Sequence, residues 1–233
     1  MPGIGFRIYT KVHRSSPDLL EAFRDLPVSN IVDTMQKIAA AHSAIKPFNH
    51  VPLLGTAITV KAPMGDNLMF HQAISMAQAG DVIVVDGGGC TERAICGENM
   101  MQIARQNGIR GFLIDDSIRD VAAVETFEDF AVFARAVMPN ASYKGLGPGE
   151  INVPVSVGGM VVYPGDIIVG DQDGVVAIQP KDAAEIAAAA KKLYEKEQSN
   201  LQLIQKGESD RSWVMEALLA RGCTFIEGSW NDN

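Results

Sequence analysis

A chain of 233 residues, 47% hydrophobic and 21% charged, is long enough to bury one sizeable core. Its formal net charge of -8 excludes broad attraction to nucleic acid or anionic lipid as the basis of function. Cys90, Cys96 and Cys223 form neither a CxxC pair nor an even disulfide set, which is the pattern of reduced thiols.

Residues 1–17 read as an irregular arm. Their sequence, MPGIGFRIYTKVHRSS and onward, lacks the apolar core of an export signal, and no apolar run is long enough to cross a bilayer. The expectation is a soluble, cytoplasmic protein. Ser16-Pro17 starts a helix over 17–26, with Leu19, Leu20 and Phe23 on one side. Ser29 is the expected cap of a second helix over 30–39, in which Ile31, Met35 and Ile38 share a face. Residues 39–52 form a weakly patterned connection, and 54–60 read as a strand. Gly65-Asp66-Asn67 is a turn that leads into a helix over 68–79, closed by Gly80. Asp66 and Asn67 have two readings here: helix caps only, or lining of a pocket shared with the glycines further on.

Residues 80–120 organise the rest. A buried strand over 82–85 runs into Gly87, Gly88 and Gly89, expected as a tight turn. Gly97 opens a helix that stops at Asn107-Gly108. A second strand over 111–114 is expected to deliver Asp115, Asp116, Arg119 and Asp120 into the turn beyond it. There follow a short helix over 121–126, a strand over 131–134 and a Gly/Pro-rich loop over 139–154, read as a lid or an oligomer contact. Short strands fill 155–176, and Pro180 begins a long alanine-rich helix bearing Glu195, Lys196 and Glu197. Alternating strands and helices predict α/β layers in a single domain over 1–233, with the arm at one end and a helical extension from about 181 at the other.

Chemistry-bearing patterns are few. His13, His42, His50 and His71 make no HxH or HExxH pair, which argues against a zinc site of the His/Cys type; His71, on the helix after the GDN turn, reads as packed or solvent-exposed, with facing the pocket as the alternative. GxSxG and the P-loop are missing, and the cysteines near the glycines read as core residues. VVDGGG resembles the opening of nucleotide- and adenosylmethionine-binding folds, yet G-x-G-x-x-G is not supplied. Carboxylates remain at strand ends: Asp86, Asp115, Asp116, Asp120, Asp171 and Asp173. One beside an arginine suits a hard divalent cation such as Mg2+, and Arg119-Asp120 is that pair, with a plain salt bridge as the alternative.

Taken together, GDNL (65–68), GDVIVVDGGG (80–89), GENM (97–100), Arg119-Asp120, NVPVSVGG (152–159) and PGDIIVGDQDGVV (164–176) resemble the RraA-like family over roughly residues 20–200. Within it the chain is similar to the class II pyruvate aldolases that cleave 4-hydroxy-4-methyl-2-oxoglutarate and 4-carboxy-4-hydroxy-2-oxoadipate. The resemblance implies an α/β fold of the swivelling β/β/α type and a trimer or dimer of trimers. It implies Asp120 as the single protein ligand to Mg2+ or Mn2+, and Arg119 as the group that binds substrate and stabilises an enolate. Backbone amides of Gly97, Glu98, Asn99 and Met100 would hold the pyruvyl carboxylate, and Glu195 or Glu197 would come from a neighbouring subunit to position a water. The activity implied is retro-aldol cleavage to pyruvate, with oxaloacetate decarboxylation alongside it. Two rival readings are a ribonuclease-binding regulator and an adenosylmethionine-dependent methyltransferase. Regulatory members of the family lack the metal aspartate, so Asp120 favours an enzyme. One departure stands out: many aldolases of the family carry an acid where this chain has Ala123, and its nearest acid is Glu125.

Overall fold

The structure is a computed structural model of the chain and describes residues 3–143 and 147–232. In chain order the elements are β1 (Phe6–Ile8), α1 (Pro17–Glu21), α2 (Val28–Thr34), β2 (Lys46–Pro47), β3 (Leu53–Lys61) and α3 (Leu68–Met76). Then come β4 (Asp81–Cys96), α4 (Glu98–Gln106), β5 (Gly111–Ile118), α5 (Val121–Val124), β6 (Ala131–Val137), β7 (Gly149–Ile151), β8 (Val155–Val157) and β9 (Met160–Val162). The chain closes with β10 (Ile167–Asp171), β11 (Gly174–Ile178), α6 (Pro180–Gln205), α7 (Ser212–Ala220) and a short 3-10 turn.

A mixed α/β architecture results, with a large sheet flanked by helices. The main sheet runs β1-β7-β3-β4-β5-β6-β2, and β10 with β11 joins it through β3. Strands β3, β4, β5 and β6 are mutually parallel. In β4 the two-residue period divides the apolar side chains between layers. Ile83 and Val85 face a core with Phe70, Phe112 and Phe130 under α3 and α4. Val82 and Val84 face a second core with Leu113, Phe133, Val157 and Val162, closed by the β8-β9 hairpin. Phe112 makes edge contacts with Phe70 at 4.7 Å and Phe130 at 4.9 Å. A third cluster joins Phe23, Ile31, Val176 and Ile178 to Ala183, Ala187 and Ala190 of α6, the one-face spacing expected of a docked helix.

Two units are compact by themselves: Met1–Lys192, which holds every strand, and Leu193–Asn233, which holds the end of α6, and α7. Helix α7 is apolar yet has no buried residue.

Several local expectations are corrected. Ser16 does cap α1, accepting from Leu19 N–H, but that helix stops at Glu21. The second helix starts early, at Val28, with Pro27 in the cap position in place of Ser29. A carboxylate distant in sequence supplies its cap: Val28 N–H donates to Asp171 Oδ2 at 2.8 Å. Gln36 and Lys37 take positive φ of 61° and 64°, so the helix ends before Ile38, which is 86% exposed and not on a buried face. Helix α3 stops at Met76 because Ala77 is extended.

The glycine segment differs most from expectation. Gly87, Gly88 and Gly89 do not end β4; the strand continues to Cys96, and its register against β5 jumps between Asp86 and Cys90. Gly88 and Gly89 adopt φ of 73°, which bends the strand outward as a bulge. Strand β5 likewise runs on to Ile118, so Asp115 and Asp116 lie buried within it and not in a turn. The arm contributes β1, paired with β7 from within the expected loop over 139–154. Residues 144–146 of that loop lie outside the described residues.

Candidate functional site

The ends of β4 and β5 are drawn together where Arg119 N–H donates to Cys96 O at 3.0 Å. Both chains then turn. Gly97 carries β4 into α4 with extended backbone, and Asp120 starts α5 in the left-handed region, at φ 64° and ψ 37°. An aspartate tolerates that region better than most residues, and non-glycine residues held there concentrate at functional sites. The result aims the carboxylate back at α4: Glu98 N–H donates to Asp120 Oδ2 at 2.9 Å. Arg119 Nε lies 3.6 Å from the same oxygen.

Gly97 is required by this closeness and not by its φ. A Cβ there would lie 2.5 Å from Asp120 Oδ2 and 3.0 Å from Arg119 Nε. A cleft of about 470 Å³ opens over the junction, lined by Gly97, Glu98, Asn99, Met100, Arg119 and Asp120 together with Asn67, His71, Cys96 and Ser142. Arg119 and Asp120 are 43% and 44% exposed in their side chains, so their pairing adds little to stability. Both side chains present their charges to the cleft.

The four amides of the GENM segment are not equivalent. Glu98 N–H serves Asp120, and Met100 N–H bonds back to Gly97 O at 3.1 Å. That leaves the amides of Gly97, the cap residue, and Asn99, the one in the first turn; both residues line the cleft at the positive end of a nine-residue helix. Burial, reinforced by the Asp120 charge, pushes the Cys96 thiol well above the ordinary range, which disfavours the nucleophilic thiolate.

Of the remaining lining residues, Asn67 and His71 carry a pocket reading in the sequence and Ser142 carries none. The two readings of the Asp66-Asn67 turn prove to belong to different residues. Asp66 caps α3, its Oδ1 accepting Leu68 N–H at 2.9 Å, whereas Asn67 makes no cap bond and lines the cleft. His71 sits one helical turn beyond Asn67, exposed and in the lining, so of its two readings the structure places it at the pocket. Ser142 arrives from the loop after β6, which parallel bridges at Ala141 and Tyr143 tie to Ala94 and Asp66. Glu125 does not replace an acid at Ala123: it lines a different hollow with Phe48, His50 and Gln172. Glu195 and Glu197 are exposed on α6 in the second unit, whereas every residue lining the cleft belongs to the first.

A divalent cation fits the donor set. Asp120 offers hard oxygen, half exposed, with one oxygen oriented by a backbone N–H and the other available to a ligand. Among the described residues no three His, Cys, Asp or Glu side chains gather for a metal, so a cation here would complete its coordination with water and substrate.

The RraA-like profile, described as Aldolase/RraA, matches residues 28–177. The chain belongs to the RraA-like family. An RraA-like relative from Halalkalibacterium halodurans, provisionally named a 4-hydroxy-4-methyl-2-oxoglutarate aldolase, is 37% identical over 88% of this chain and 95% of its own. The solved structure of the RNA-processing inhibitor RraA from Thermus thermophilis superposes with a TM-score of 0.60 at 27% identity, covering 66% of this chain and 93% of that one. A second similar structure, from Geobacillus kaustophilus, is titled an S-adenosylmethionine:2-dimethylmenaquinone methyltransferase; its TM-score is 0.60 at 28% identity, over 66% and 94%. Three names on one RraA-like fold mean that the fold does not select the activity; the site has to. Among the described residues, no helix is long and apolar enough to cross a membrane.

Proposed function

We propose that this RraA-like chain is a divalent-metal-dependent lyase that cleaves a 4-hydroxy-2-oxo acid to pyruvate and a second oxo acid, and decarboxylates oxaloacetate as a side reaction. The observation that carries this reading is the junction of Gly97, Arg119 and Asp120, where a fixed carboxylate, a guanidinium and a helix N-terminus open on one cleft. The provisional name of the H. halodurans relative supports it.

Asp120 is the residue that would hold Mg2+ or Mn2+. Bound there, the cation would supply Lewis-acid stabilisation of the negative charge that grows on the 2-oxo oxygen as the C3–C4 bond breaks. Arg119 places a permanent positive charge beside the same oxygen, in position before the reaction begins. The Asn99 amide, backed by the α4 dipole, receives the C1 carboxylate. A glutamate, Glu195 or Glu197 of a neighbouring subunit in a trimer or dimer of trimers, draws the 4-hydroxyl proton away through a water.

A coupled assay for pyruvate across several 4-hydroxy-2-oxo acids and oxaloacetate tests the reading. EDTA should abolish release and Mg2+ or Mn2+ restore it, and Asp120→Ala should cost at least about 100-fold in kcat/KM while the protein still unfolds in one cooperative transition. Activity that persists in chelator overturns the metal role.

Likeness to the Thermus inhibitor favours a second reading, a non-catalytic regulator that binds a ribonuclease. It requires saturable binding of a purified endoribonuclease and no metal-dependent turnover. The methyltransferase reading loses its sequence basis: the glycines of VVDGGG form a bulge inside β4, and the space a side chain would need at Gly87 is taken by Asp116.

A further inference from the structure

Asn67 stands at the N-cap position of α3, where its side chain would ordinarily accept a backbone N–H. Asp66 does that work instead. The Asn67 amide group is turned across to the neighbouring elements: Nδ2 donates to Ile95 O at 3.2 Å and approaches Met100 Sδ at 3.6 Å. Both contacts need the nitrogen on that side, so they fix which end of the amide is which. Oδ1 is left with no protein donor among the described residues, on a half-buried side chain that lines the cleft beside Cys96, Gly97 and Met100.

An oriented acceptor selects for a donor. The pyruvyl end of a 2-oxo acid carries only acceptors at neutral pH, namely two carboxylate oxygens and the oxo oxygen. In a 4-hydroxy-2-oxo acid the one donor is the 4-hydroxyl. Resting on the lyase reading above, we propose that Asn67 is a specificity residue whose Oδ1 accepts a hydrogen bond from the 4-hydroxyl of the newly bound substrate, orienting that group before its proton turns to the water that removes it, and so distinguishing aldol substrates from 2-oxo acids without a 4-hydroxyl. A site built to bond a hydroxyl discriminates against ligands that lack it, because a bound ligand displaces water from the acceptor and then leaves it unpaired.

The test compares two reactions of one enzyme under the same Mg2+ concentration. In Asn67→Ala the ratio of kcat/KM for the 4-hydroxy-2-oxo acid to that for oxaloacetate should fall by about 10- to 100-fold, while the inhibition constant of pyruvate moves by less than about threefold. A second measurement needs no variant: in the wild type, 2-oxoglutarate should inhibit with a constant at least about tenfold above the KM of its 4-hydroxy analogue. Equal loss of both reactions would mean that Asn67 touches something common to both, such as a water on the cation, and would overturn the proposal. An unchanged ratio would overturn it too. Failure of the lyase reading is separate, since it shows as a wild type that releases no pyruvate from any of these acids.

Discussion

At the scale of the residue, Gly97 and Asp120 depend on each other. Replacing Gly97 by Ala introduces no backbone strain, because its φ of -143° is open to any residue. The added methyl instead meets the Asp120 carboxylate and the Arg119 guanidinium. Gly97→Ala should therefore lower kcat/KM by about 100-fold, the effect of an approximately 1 Å displacement of a catalytic group, with a melting temperature close to that of wild type. A parallel loss of fold would place the glycine's role in packing. Asp116 offers a separate prediction. Burial raises its carboxyl from 3.8 to about 7, with hydrogen bonds from Ser117 and Gly65 opposing and the Asp115 charge adding slightly. Ser117 N–H donates to its Oδ1 at 2.6 Å, and its buried Oδ2 has no partner at full hydrogen-bond geometry among the described residues. Because the folded state holds this proton more tightly than the unfolded chain, stability should decline as pH rises from about 4 to about 7. Asp116→Asn should flatten that part of the curve and leave the variant the more stable protein above pH 7, as read by urea unfolding across pH. A slope that survives the substitution would assign the dependence to another group.

At the scale of the element, long-range partners override local signals. Helix α2 is expected to start at Asn30 behind a Ser29 cap because serine is a good cap, yet Asp171 from β10 reaches the amide of Val28 and moves the start there. Asp171→Ala should thus destabilise the fold by about 1 kcal/mol, seen as a lowered urea midpoint, while Ser29→Ala should change it little. The bulge of β4 shows the same principle. Three successive glycines resemble a turn in isolation, but the chain continues because β5 offers Asp116, Ser117 and Ile118 as pairing partners. Helix α4 was legible from end to end, since Gly97 and Asn107-Gly108 bracket it with local chemistry.

At the scale of the whole molecule, the site within the first unit contains Arg119 and Asp120 but no glutamate from α6. If a neighbouring subunit supplies Glu195, neither Asp120→Ala nor Glu195→Ala alone should be active, whereas subunits of the two mixed and exchanged should regain about one quarter of the wild-type rate. Mixing that restores nothing, with exchange verified, would place both groups in one chain or remove Glu195 from the reaction; the same pairing with Glu197→Ala then decides between the two glutamates.

The amino-acid sequence by itself determined the layers and the family. Alternating apolar strands and bracketed helices are written in local periodicity, and the ordered motifs identify the RraA-like fold. It also singled out Arg119-Asp120 and the GENM segment, because neighbours in the chain remain neighbours in space. Tertiary structure alone decided which amides of that segment are free, that Asn67 rather than Asp66 faces the cleft, and that Asp115 and Asp116 are buried in β5. Each of those outcomes depends on contacts between residues 20 or more positions apart, such as Asp120 with Glu98 and Asn67 with Ile95. No local pattern encodes such contacts; they exist only once the strands have paired.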